Sequence, residues 1–579
     1  MNILGLSFDY HDAAAALVQD GDVVAASQEE RFSRKKHDER IPLQAVSFCL
    51  QQGNITAGDL DAVVFYENTA LKWDRIVWSY LQNPERAAGY LSLVTDAWFH
   101  QEKFDTEARI ADLLGIDFDR ILSLSHHESH AASAYYCSPF KEAAIVTMDG
   151  VGEYETTTVS TGSDNTITKL SAQNLPHSIG LLYSAITAFL GFEVNEGEYK
   201  VMGMAGFGDP SLKGAFRKLI TTTENGLFEV AQDYFEFLCP IDLPFNDKLL
   251  EILGPPRTPG EHFDLAKSED HHYANIAASL QDRIEEVILH IISHAMEAAG
   301  SRNVCLAGGV GLNSLANARV VKDLGCNLYV QPAAGDAGGA LGAALAYYFS
   351  HGGAHDGKKP LVDLYLGRQF SDTEILSALN RHCLSFENYF DEESMIEDVA
   401  GKLAAGSVIG WMQGRAEWGP RALGNRSILA DPTNADMQNN VNTKIKFREP
   451  FRPFAPSVLA EHADEYFNIE QTESLTSPEN FMLAVVDVLP NAQNKIPAVT
   501  HVDGTARVHL VHREINPLYY RLIEAFQNRT GTPILLNTSM NLNGEAVVNA
   551  PYDALETFSW SNIDYMVIGH YIISKESLV

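Results

Sequence analysis

Short apolar segments alternate with acidic, glycine-containing turns in two stretches of the chain. Within residues 2–27, the segments ILGLS and AAAALV are separated by Asp9–Asp12, and VVAAS follows a second turn. Within residues 143–172, AAIVTM and TTTVST are separated by Asp149–Gly152, and ITKLSA follows another turn. Apolar segments of this length between turn residues predict β-strands. Each stretch is therefore predicted to be a three-stranded meander with an acidic loop between its first two strands.

The repeated plan predicts a duplicated N-terminal domain. Two related α/β halves with a cleft between them are the plan of the actin, hexokinase and Hsp70 ATPase superfold. A chance similarity of two meanders is the alternative. The predicted fold class is α/β throughout.

The pattern after the second meander predicts helices and buried strands. A helix is expected over Tyr273–Ala299, and strands are expected over Asn303–Ala307 and Asn327–Gln331. The second of these strands leads into the glycine-rich turn Ala334–Gly339, after which ALGAALAYY predicts a helix of small residues.

A change of composition predicts the domain boundary. Residues Ser350–Pro360 are rich in Gly, His and Lys and are typical of a linker. The predicted domains are therefore residues 1–355 and residues 361–579, the second again α/β.

Composition and charge restrict the class of protein. The chain has 579 residues, 45% of them hydrophobic, with 42 basic and 76 acidic side chains and a net charge of −34. Such an acidic chain repels phosphate backbones and is not expected to bind nucleic acid. No apolar run suggests a membrane span, and Met1–Leu6 is typical of a first strand and not of a signal peptide. The six cysteines contain no CxxC pair, so a cytoplasmic location without disulfides is expected.

Two histidines suggest a metal site. In SHHESHAASA the alanine-rich continuation favours a helix, on which His126 and His130 lie one turn apart on the same face. Asp336, in the glycine-rich turn after a buried strand, is a candidate third ligand, and two histidines with one carboxylate leave coordination positions open. The alternatives are solvated or cleft-lining histidines and an aspartate that only caps a helix.

A glycine-rich loop joins a strand to a helix. The loop Gly308–Asn313 places backbone N–H groups, with Gly309 and Asn313, at the start of a helix, where phosphate can bind. It lacks the third glycine of a dinucleotide fingerprint, and a tight structural turn explains it equally well.

Positive charge is concentrated in the second domain. Between residues 414 and 453 the basic residues are Arg415, Arg421, Arg426, Lys444, Lys446, Arg448 and Arg452. In so acidic a chain this concentration indicates an anionic partner such as a polyphosphate or carbamoyl phosphate, unless the residues form a salt-bridge network. No P-loop, GxSxG elbow or kinase signature is present.

Ten segments together identify a resemblance over essentially the whole chain. They are HDAAAALV, EERFSRKKH, SHHESHAASA, EGEYKVMGMA, LAGGVGLN, GDAGGALGAAL, GRAEWGPRALGNRSILADP, KFREPFRPFAPSV, HVDGTARV and LLNTSMNLNGE. In this order they resemble the NodU/CmcH/TobZ-type O-carbamoyltransferases. One departure is Gly311, where the family often has alanine.

The resemblance implies a fold and a reaction. It implies an N-terminal domain of the actin-like ATPase superfold and a C-terminal YrdC-like domain. The YrdC-like domain would convert ATP and carbamoyl phosphate into carbamoyl-adenylate, releasing pyrophosphate and phosphate. The intermediate would then reach the N-terminal domain, where a bound metal supports transfer to the hydroxyl group of a natural product or sugar. A homodimer is also implied.

The resemblance also implies site residues. His126, His130 and Asp336 would bind the metal, Fe²⁺ or alternatively Zn²⁺, and Mg²⁺ could accompany ATP. The anion-binding positions of the YrdC-like domain would be Arg421, Lys446, Arg507, Arg452 and Asn537. Asp9 and His11 fall in the acidic loop where the acceptor would arrive.

His11 is a candidate general base because the pKa of an imidazole lies near neutrality, and Asp9 would orient or assist it. The alternative for His11 is a turn residue that caps the local backbone. The segment Tyr66–Lys103, with Trp73, Trp78 and Trp98, is a candidate determinant of acceptor specificity or a packing element. The rival functions are a tRNA threonylcarbamoyl-type modification enzyme, which the negative charge disfavours, a sugar kinase, which would not explain the basic second domain, and a non-catalytic nucleotide-binding regulator.

Overall fold

The computed structural model describes residues 1–82, 84–100, 102–239, 242–261, 263–264, 267–353, 358–382, 384–448, 452–470 and 472–578. The chain divides into two compact units. The first unit comprises Met1–Ala25, Glu39–Pro42 and Cys49–Pro360, and the second comprises Ala26–Asp38, Leu43–Phe48 and Leu361–Val579. Residues 26–38 and 43–48 thus differ from the predicted boundary, because they pack with the second unit. Residues 354–357 of the predicted linker and Cys383 lie outside the described residues.

Two five-stranded sheets share one topology. The strands up to residue 330 are β1 Asn2–Ser7, β2 Ala14–Gln19, β3 Asp22–Gln28, β4 Ala62–Phe65, β5 Ile121–Ser123, β6 Glu142–Met148, β7 Glu155–Ser163, β8 Thr166–Asn174, β9 Ile220–Thr222, β10 Phe228–Val230, β11 Asn303–Ala307 and β12 Asn327–Val330. The sheet orders are β3-β2-β1-β4-β5 and β8-β7-β6-β11-β12. In each sheet the central strand pairs antiparallel with the second strand of its meander and parallel with the strand on its other side. Both meanders and the predicted duplication of an α/β plan are therefore confirmed.

The helices in the same part of the chain are α1 Glu30–Ser33, α2 Leu43–Gln52, α3 Thr69–Gln82, α4 Pro84–His100, α5 Thr106–Leu114, α6 His126–Tyr135, α7 Ile179–Phe189, α8 Glu198–Ala205, α9 Lys213–Leu219, α10 Asp247–Leu253, α11 Ser268–Ala299, α12 Ser314–Leu324 and α13 Asp336–Ser350. Helix α13 packs against β1 and β2. The predicted helix at residue 273 begins five residues earlier, at Ser268. Among the described residues, no helix combines the length and the apolar composition that crossing a bilayer requires.

The second unit is built on an eight-stranded mixed sheet. The strands of this unit are β13 Glu387–Asn388, β14 Ile409–Met412, β15 Arg426–Ala430, β16 Ala455–Leu459, β17 Val486–Asp487, β18 Thr505–Ala506, β19 His509–Val511, β20 Ile534–Ser539, β21 Tyr565–Ile568 and β22 Tyr571–Ser574. Strands β17 and β18 pair with each other in a separate two-stranded sheet. Its helices are α14 Asp372–Arg381, α15 Glu392–Ala404, α16 Met437–Asn440, α17 Pro517–Thr530 and α18 Pro551–Trp560. The large sheet has the order β13-β22-β21-β14-β15-β20-β16-β19, with apolar clusters on both faces. The second region is therefore α/β, as predicted.

Small residues bring helix α13 very close to its neighbours. A Cβ atom added to Gly342 would lie 1.9 Å from the backbone oxygen of Ser129 in α6, and one added to Gly5 would lie 1.8 Å from the backbone oxygen of Ala340. Backbone atoms cannot yield as a flexible side chain can, so these positions exclude a side chain. The glycine at 342 lets the helix that carries two candidate metal ligands approach the helix that begins with the third.

Replacing Gly342 by Val is expected to lower the midpoint of thermal unfolding and to disrupt the site that α6 and α13 form together. The added side chain must push the two backbones apart, at a cost of at least about 3 kcal/mol. Differential scanning calorimetry measures the loss. The control is Gly214→Ala in α9, where an added Cβ meets nothing within 4 Å, and where better helix propensity should leave stability unchanged or raised by up to ~1 kcal/mol. Equal melting temperatures for Gly342→Val and the wild type would contradict the steric argument.

Candidate active site and candidate metal centre

Four side chains of the first unit converge on one point. Helix α6 supplies His126 and His130, the loop after β6 supplies Asp149, and the first residue of α13 supplies Asp336. Their ligand atoms all lie within 4.8 Å of one another. The two Nε2 atoms are 3.1 Å apart, and Asp149 Oδ2 lies 2.9 Å from His126 Nε2 and 3.4 Å from His130 Nε2. The Oδ1 atom of Asp336 is 3.8 Å from the first nitrogen and 3.7 Å from the second.

These distances fit a shared divalent ion. Ligand atoms about 2.0–2.2 Å from a tetrahedral ion are separated by roughly 3.3–3.5 Å, which lies within the observed range. In the described part of the chain, neither His126 nor His130 has a hydrogen-bond partner at its buried Nδ1 atom. Both rings are thus held in place by packing and direct Nε2 at the same point. Two imidazoles and two carboxylates suit Fe²⁺ or Zn²⁺.

Asp149 was not predicted as a ligand from the sequence, where it stands only as part of an acidic loop. The available signal was its position: it directly follows a buried strand, and β6 is the parallel neighbour of β11, whose own carboxyl end leads into the glycine loop. Side chains at the carboxyl ends of adjacent parallel strands meet at the same sheet edge.

The close contacts between carboxylates and imidazoles shift the pKa values of both groups. Burial opposes ionisation of Asp149 and Asp336, but the facing histidines outweigh it and lower the pKa of both carboxyl groups. Burial by itself lowers the pKa of His130, but hydrogen bonds and charge from Asp149 and Asp336 raise it to about 9. The cluster therefore concentrates negative charge that favours a cation.

A buried carboxylate fixes the start of α6. Glu153 is 4% exposed, and its Oε1 accepts hydrogen bonds from the backbone N–H groups of His126, at 3.0 Å, and Asn68, at 2.7 Å. A carboxylate at a helix N-terminus also interacts favourably with the helix dipole. Glu153 therefore holds the first histidine in position.

The cluster is accessible from one side. The side chains of His126, His130 and Asp336 are 0–3% exposed, whereas those of Asp149 and His11 are 17% and 21% exposed. Tyr10, whose ring packs against His11 with centroids 4.5 Å apart, is 47% exposed. The partly exposed side chains of His11 and Tyr10 therefore border one approach to the cluster.

His11 lies beside the cluster, and Asp12 contacts it. The Nδ1 atom of His11 is 3.0 Å from Asp12 Oδ2, and its Nε2 atom is 3.8 Å from Asp336 Oδ2. Burial alone would lower the pKa of His11, but the charge of Asp336 and the hydrogen bond with Asp12 raise it to about 10.

Asp9 has a different set of contacts. Its Oδ2 atom accepts a hydrogen bond of 2.8 Å from Arg109, its backbone oxygen accepts one from Lys103, and its φ of 74° is left-handed. The orienting contact expected of Asp9 is therefore made by Asp12, and Asp9 instead anchors the loop.

The glycine loop contributes to the same centre. The backbone N–H of Gly309 donates a hydrogen bond of 3.1 Å to Asp149 Oδ1, and the Oδ1 atom of Asn313 accepts from the N–H of Ala316 and so caps α12. In this structure the N–H of Gly309 thus orients a carboxylate, and Asn313 has a structural contact.

Two of the basic residues in the second unit are structural. Arg426 is 1% exposed, and its guanidinium donates to five backbone carbonyl groups, those of Gln413, Asn425, Arg368, Gly414 and Asn549. Arg415 donates to the carbonyl groups of Gly367 and Leu366. Both guanidinium groups thus bind backbone oxygens.

Lys446 is also held by protein oxygens. Its Nζ atom is within 2.6–2.9 Å of the backbone oxygens of Ser539 and Asn541 and of Asn541 Oδ1. Burial, together with Arg448 and Arg452, lowers the pKa of Lys446 well below its usual range.

Arg507 is a half-buried cation whose neighbours are other arginines. Burial and the charges of Arg421, Arg448 and Arg452 all lower its pKa. Its Nε atom is buried without a hydrogen-bond partner among the described residues, none of which places a carboxylate within 4.0 Å of its guanidinium. Four half-buried arginines that repel one another are typical of an anion-binding site. Lys444 lies in the same region, but its side chain lies outside what the structure describes.

Helix α3 lies beside the accessible side of the cluster. Arg75 donates to the backbone oxygen of Gly152, and Lys72 lies over the ring of Tyr10 at 5.4 Å. Trp73 and Trp98 pack against each other with centroids 5.0 Å apart, and both contact Phe104. Trp78 contacts Tyr154. Two of the three tryptophans thus have a packing role, while α3 itself borders the approach.

Comparison with known proteins assigns the chain to a family. The carbamoyltransferase N-terminus model matches residues 2–345, and the carbamoyltransferase C-terminus model matches residues 400–575. An uncharacterized protein of Synechocystis sp. is 40% identical over 600 residues, covering 99% of this chain and 97% of its own length. Nodulation protein NolNO of Sinorhizobium fredii is 36% identical over 575 residues, covering 98% of this chain and 79% of its own length.

Similarity to solved structures is more distant. Component A of the (R)-2-hydroxyglutaryl-CoA dehydratase of Acidaminococcus fermentans is 15% identical, with 61% of this chain and 98% of that protein covered and a TM-score of 0.32. The assignment therefore depends on the sequence. Both family models and the full-length relatives agree with the resemblance carried by the ten segments, and the chain belongs to the carbamoyltransferase family of transferase enzymes.

Proposed function

We propose that this protein is an O-carbamoyltransferase that uses ATP and carbamoyl phosphate to carbamoylate a hydroxyl group of a small molecule, a natural product or a sugar. The observation that carries the proposal is the convergence of two imidazoles and two carboxylates in the first unit of a carbamoyltransferase-family chain. The same proposal assigns the first unit to the actin-like ATPase superfold and the second to the YrdC-like fold.

The second unit is proposed to make the activated donor. Carbamoyl phosphate and water give carbamate and phosphate; a carbamate oxygen then attacks the α-phosphorus of ATP, and pyrophosphate leaves. The product, carbamoyl-adenylate, is a mixed anhydride with AMP as a good leaving group. Arg421, Arg452 and Arg507 are suited to phosphate oxygens because guanidinium groups bind them in a bidentate manner. Lys446 would contribute charge, and Asn537 a polar contact. Mg²⁺ could accompany ATP.

The first unit is proposed to carry out the transfer. His126, His130, Asp149 and Asp336 would hold Fe²⁺ or Zn²⁺, which when bound would supply Lewis acidity to the donor and charge stabilisation to the leaving phosphate. Both carboxylates are oriented by hydrogen bonds. The N–H of Gly309 donates to Asp149, and the hydroxyl of Tyr66 donates to Asp336 at 3.2 Å.

His11 is proposed to take the proton of the acceptor hydroxyl as its oxygen attacks the carbamoyl carbon. A general base must be neutral, whereas the carboxylates around His11 favour its charged form. The charge of Asp336, which favours the proton on His11, would be countered by a bound divalent cation, and the pKa of His11 would then lie closer to neutrality. Asp12 keeps the ring in place through Nδ1, which leaves Nε2 for the proton.

Replacing His11 by Ala is expected to lower the rate of carbamoyl transfer at least ~100-fold while pyrophosphate release with carbamoyl phosphate persists, because the base acts only in the second step. Asp12→Asn is expected to lower transfer less, by about 10-fold, since only the orientation of the ring is affected. Mass spectrometry of the product and a coupled pyrophosphate assay measure the two steps. Full acceptor turnover by His11→Ala would remove the base assignment.

The acceptor is proposed to approach past Tyr10 and helix α3, where Lys72 and Arg75 border the exposed side of the cluster. The deciding experiment is incubation of the full-length protein with ATP, carbamoyl phosphate and a panel of polyols, aminoglycosides and sugars. The expected products are AMP, pyrophosphate, phosphate and a carbamate ester. The ester should be heavier than the acceptor by about 43 mass units, because carbamoylation is a net addition of HNCO. Formation of ADP in place of AMP would indicate a kinase and overturn the proposal.

A further inference from the structure

Asn537 lies in the large sheet of the second unit, near Lys446 and Arg421. It is 1% exposed and occupies β20, where residues two apart share one face of the sheet. Ser539, two residues on, contacts Lys446 through its backbone oxygen and, at 3.4 Å, its hydroxyl. Asn537 Nδ2 donates to the carbonyl group of Ala422, the residue directly after Arg421.

Its surroundings dictate the orientation of the Asn537 amide. The backbone oxygen of Ala422, 3.1 Å away, can only accept a hydrogen bond, so the atom facing it must be the amino group. The same amino group donates to Ser457 Oγ at 3.0 Å. The amide oxygen, Oδ1, is then directed elsewhere, and it is buried without a hydrogen-bond partner in the part of the chain that the structure describes.

A second residue, behind Asn537, holds this orientation. Because Ser457 Oγ accepts from Asn537, its own hydrogen is available to His509 Nδ1, 2.9 Å away. His509 is 4% exposed, and burial, with some contribution from His512, lowers its pKa to about 3. The ring is therefore neutral at physiological pH, and Nδ1 can act as an acceptor. In the tautomer with Nδ1 as the acceptor, Ser457 donates to His509 and accepts from Asn537, so the contacts from His509 to Asn537 form one connected chain.

A buried amide oxygen without a partner needs an N–H or O–H donor, since leaving it unpaired costs stability. In the chemistry of the proposed function, the carbamoyl group brings an amino group. Acetyl phosphate has nearly the same shape as carbamoyl phosphate but carries a methyl group there and cannot donate. A site with a fixed acceptor at this point would distinguish the two compounds.

We propose that Asn537 Oδ1 accepts a hydrogen bond from the carbamoyl amino group, and that His509 is a positioning residue that, through Ser457, keeps Oδ1 directed at it. This inference rests on the proposed function and adds to it the basis of selectivity for a carbamoyl donor. His509 does not touch the substrate in this arrangement; it acts through the hydroxyl group of Ser457.

The test compares two donors in the full-length protein. ATP-dependent pyrophosphate release is measured with carbamoyl phosphate and with acetyl phosphate, and kcat/KM is expected to favour the first by at least about 100-fold. Asn537→Leu and His509→Leu are each expected to lower this ratio by at least about 10-fold. His509→Asn is the matched control, because an asparagine oxygen can accept from Ser457 at the place of Nδ1, and it should keep the ratio within about 3-fold of the wild type. A purely structural role of His509 would reduce activity with both donors alike.

The outcomes separate the inference from the proposed function. A wild-type protein that releases no pyrophosphate with carbamoyl phosphate overturns the proposed function, and this inference with it. An active wild type whose leucine variants keep the wild-type ratio overturns the inference alone. If the leucine variants lose activity with both donors, calorimetric binding to the wild type decides: equal affinity for carbamoyl phosphate and acetyl phosphate overturns the inference, and at least about 100-fold tighter binding of carbamoyl phosphate supports it.

Discussion

Replacing His130 or Asp336 by Ala is expected to remove the bound divalent metal and to lower carbamoyl transfer by at least two orders of magnitude. Each variant takes one of four converging ligands from a site whose buried members are 0–3% exposed, so solvent water would have to replace a fixed protein ligand. Metal affinity should fall at least ~100-fold, measured as metal per protein after dialysis. Carbamoyl-phosphate-dependent pyrophosphate release should persist, because it is assigned to the second unit.

Asp149→Ala tests the ligand that the sequence analysis missed. Its Oδ2 atom is nearer to both imidazole nitrogens than that of Asp336, so the loss of metal should be comparable. Glu128→Ala provides a matched control on the same helix, since Glu128 is exposed and bonded only to Ser125 in the described structure. Full metal content in the His130, Asp149 and Asp336 variants would show that the cluster is not a metal site.

Two arginines of the second unit are expected to respond to the same substitution in opposite ways. Arg426→Met should lower the free energy of unfolding by about 3–5 kcal/mol, because five carbonyl groups lose the buried donor that they share. Arg507→Met should leave stability unchanged or higher, because it removes a half-buried cation that is repelled by its neighbours and has no carboxylate within 4.0 Å in the described chain. Denaturant titration followed by fluorescence measures both.

In activity, Arg507→Met should be the more impaired of the two variants, although it is the more stable one. Arg507→Met should abolish pyrophosphate release in a folded protein, as expected where stability is sacrificed for anion binding. The folded fraction of Arg426→Met should retain its affinity for ATP. If Arg507→Met destabilised the protein as much as Arg426→Met does, Arg507 would be a structural residue and the anion site would have to be placed elsewhere.

The sequence predicted local structure well because local structure follows from local pattern. The two meanders, the strand at residue 303 and the helix with histidines one turn apart each depend on residues close together in the chain, and each is present in the structure. The sequence also predicted the basic region of the second domain, but not which of its arginines have a structural role. Only packing shows that Arg426 serves backbone carbonyl groups while Arg507 stands without an acidic partner among the described residues.

What the sequence determined by itself is the α/β class, the duplicated plan, the family and the group of residues from which a centre could be built. What only the tertiary structure decided is which of those residues meet. Asp149 joins the two histidines because β6 lies in the middle of its sheet, and Asp336 joins them because Gly342 admits the backbone of Ser129. Such contacts span up to some two hundred residues of chain, and they depend on strand order and close helix packing, which no short-range pattern of residues encodes.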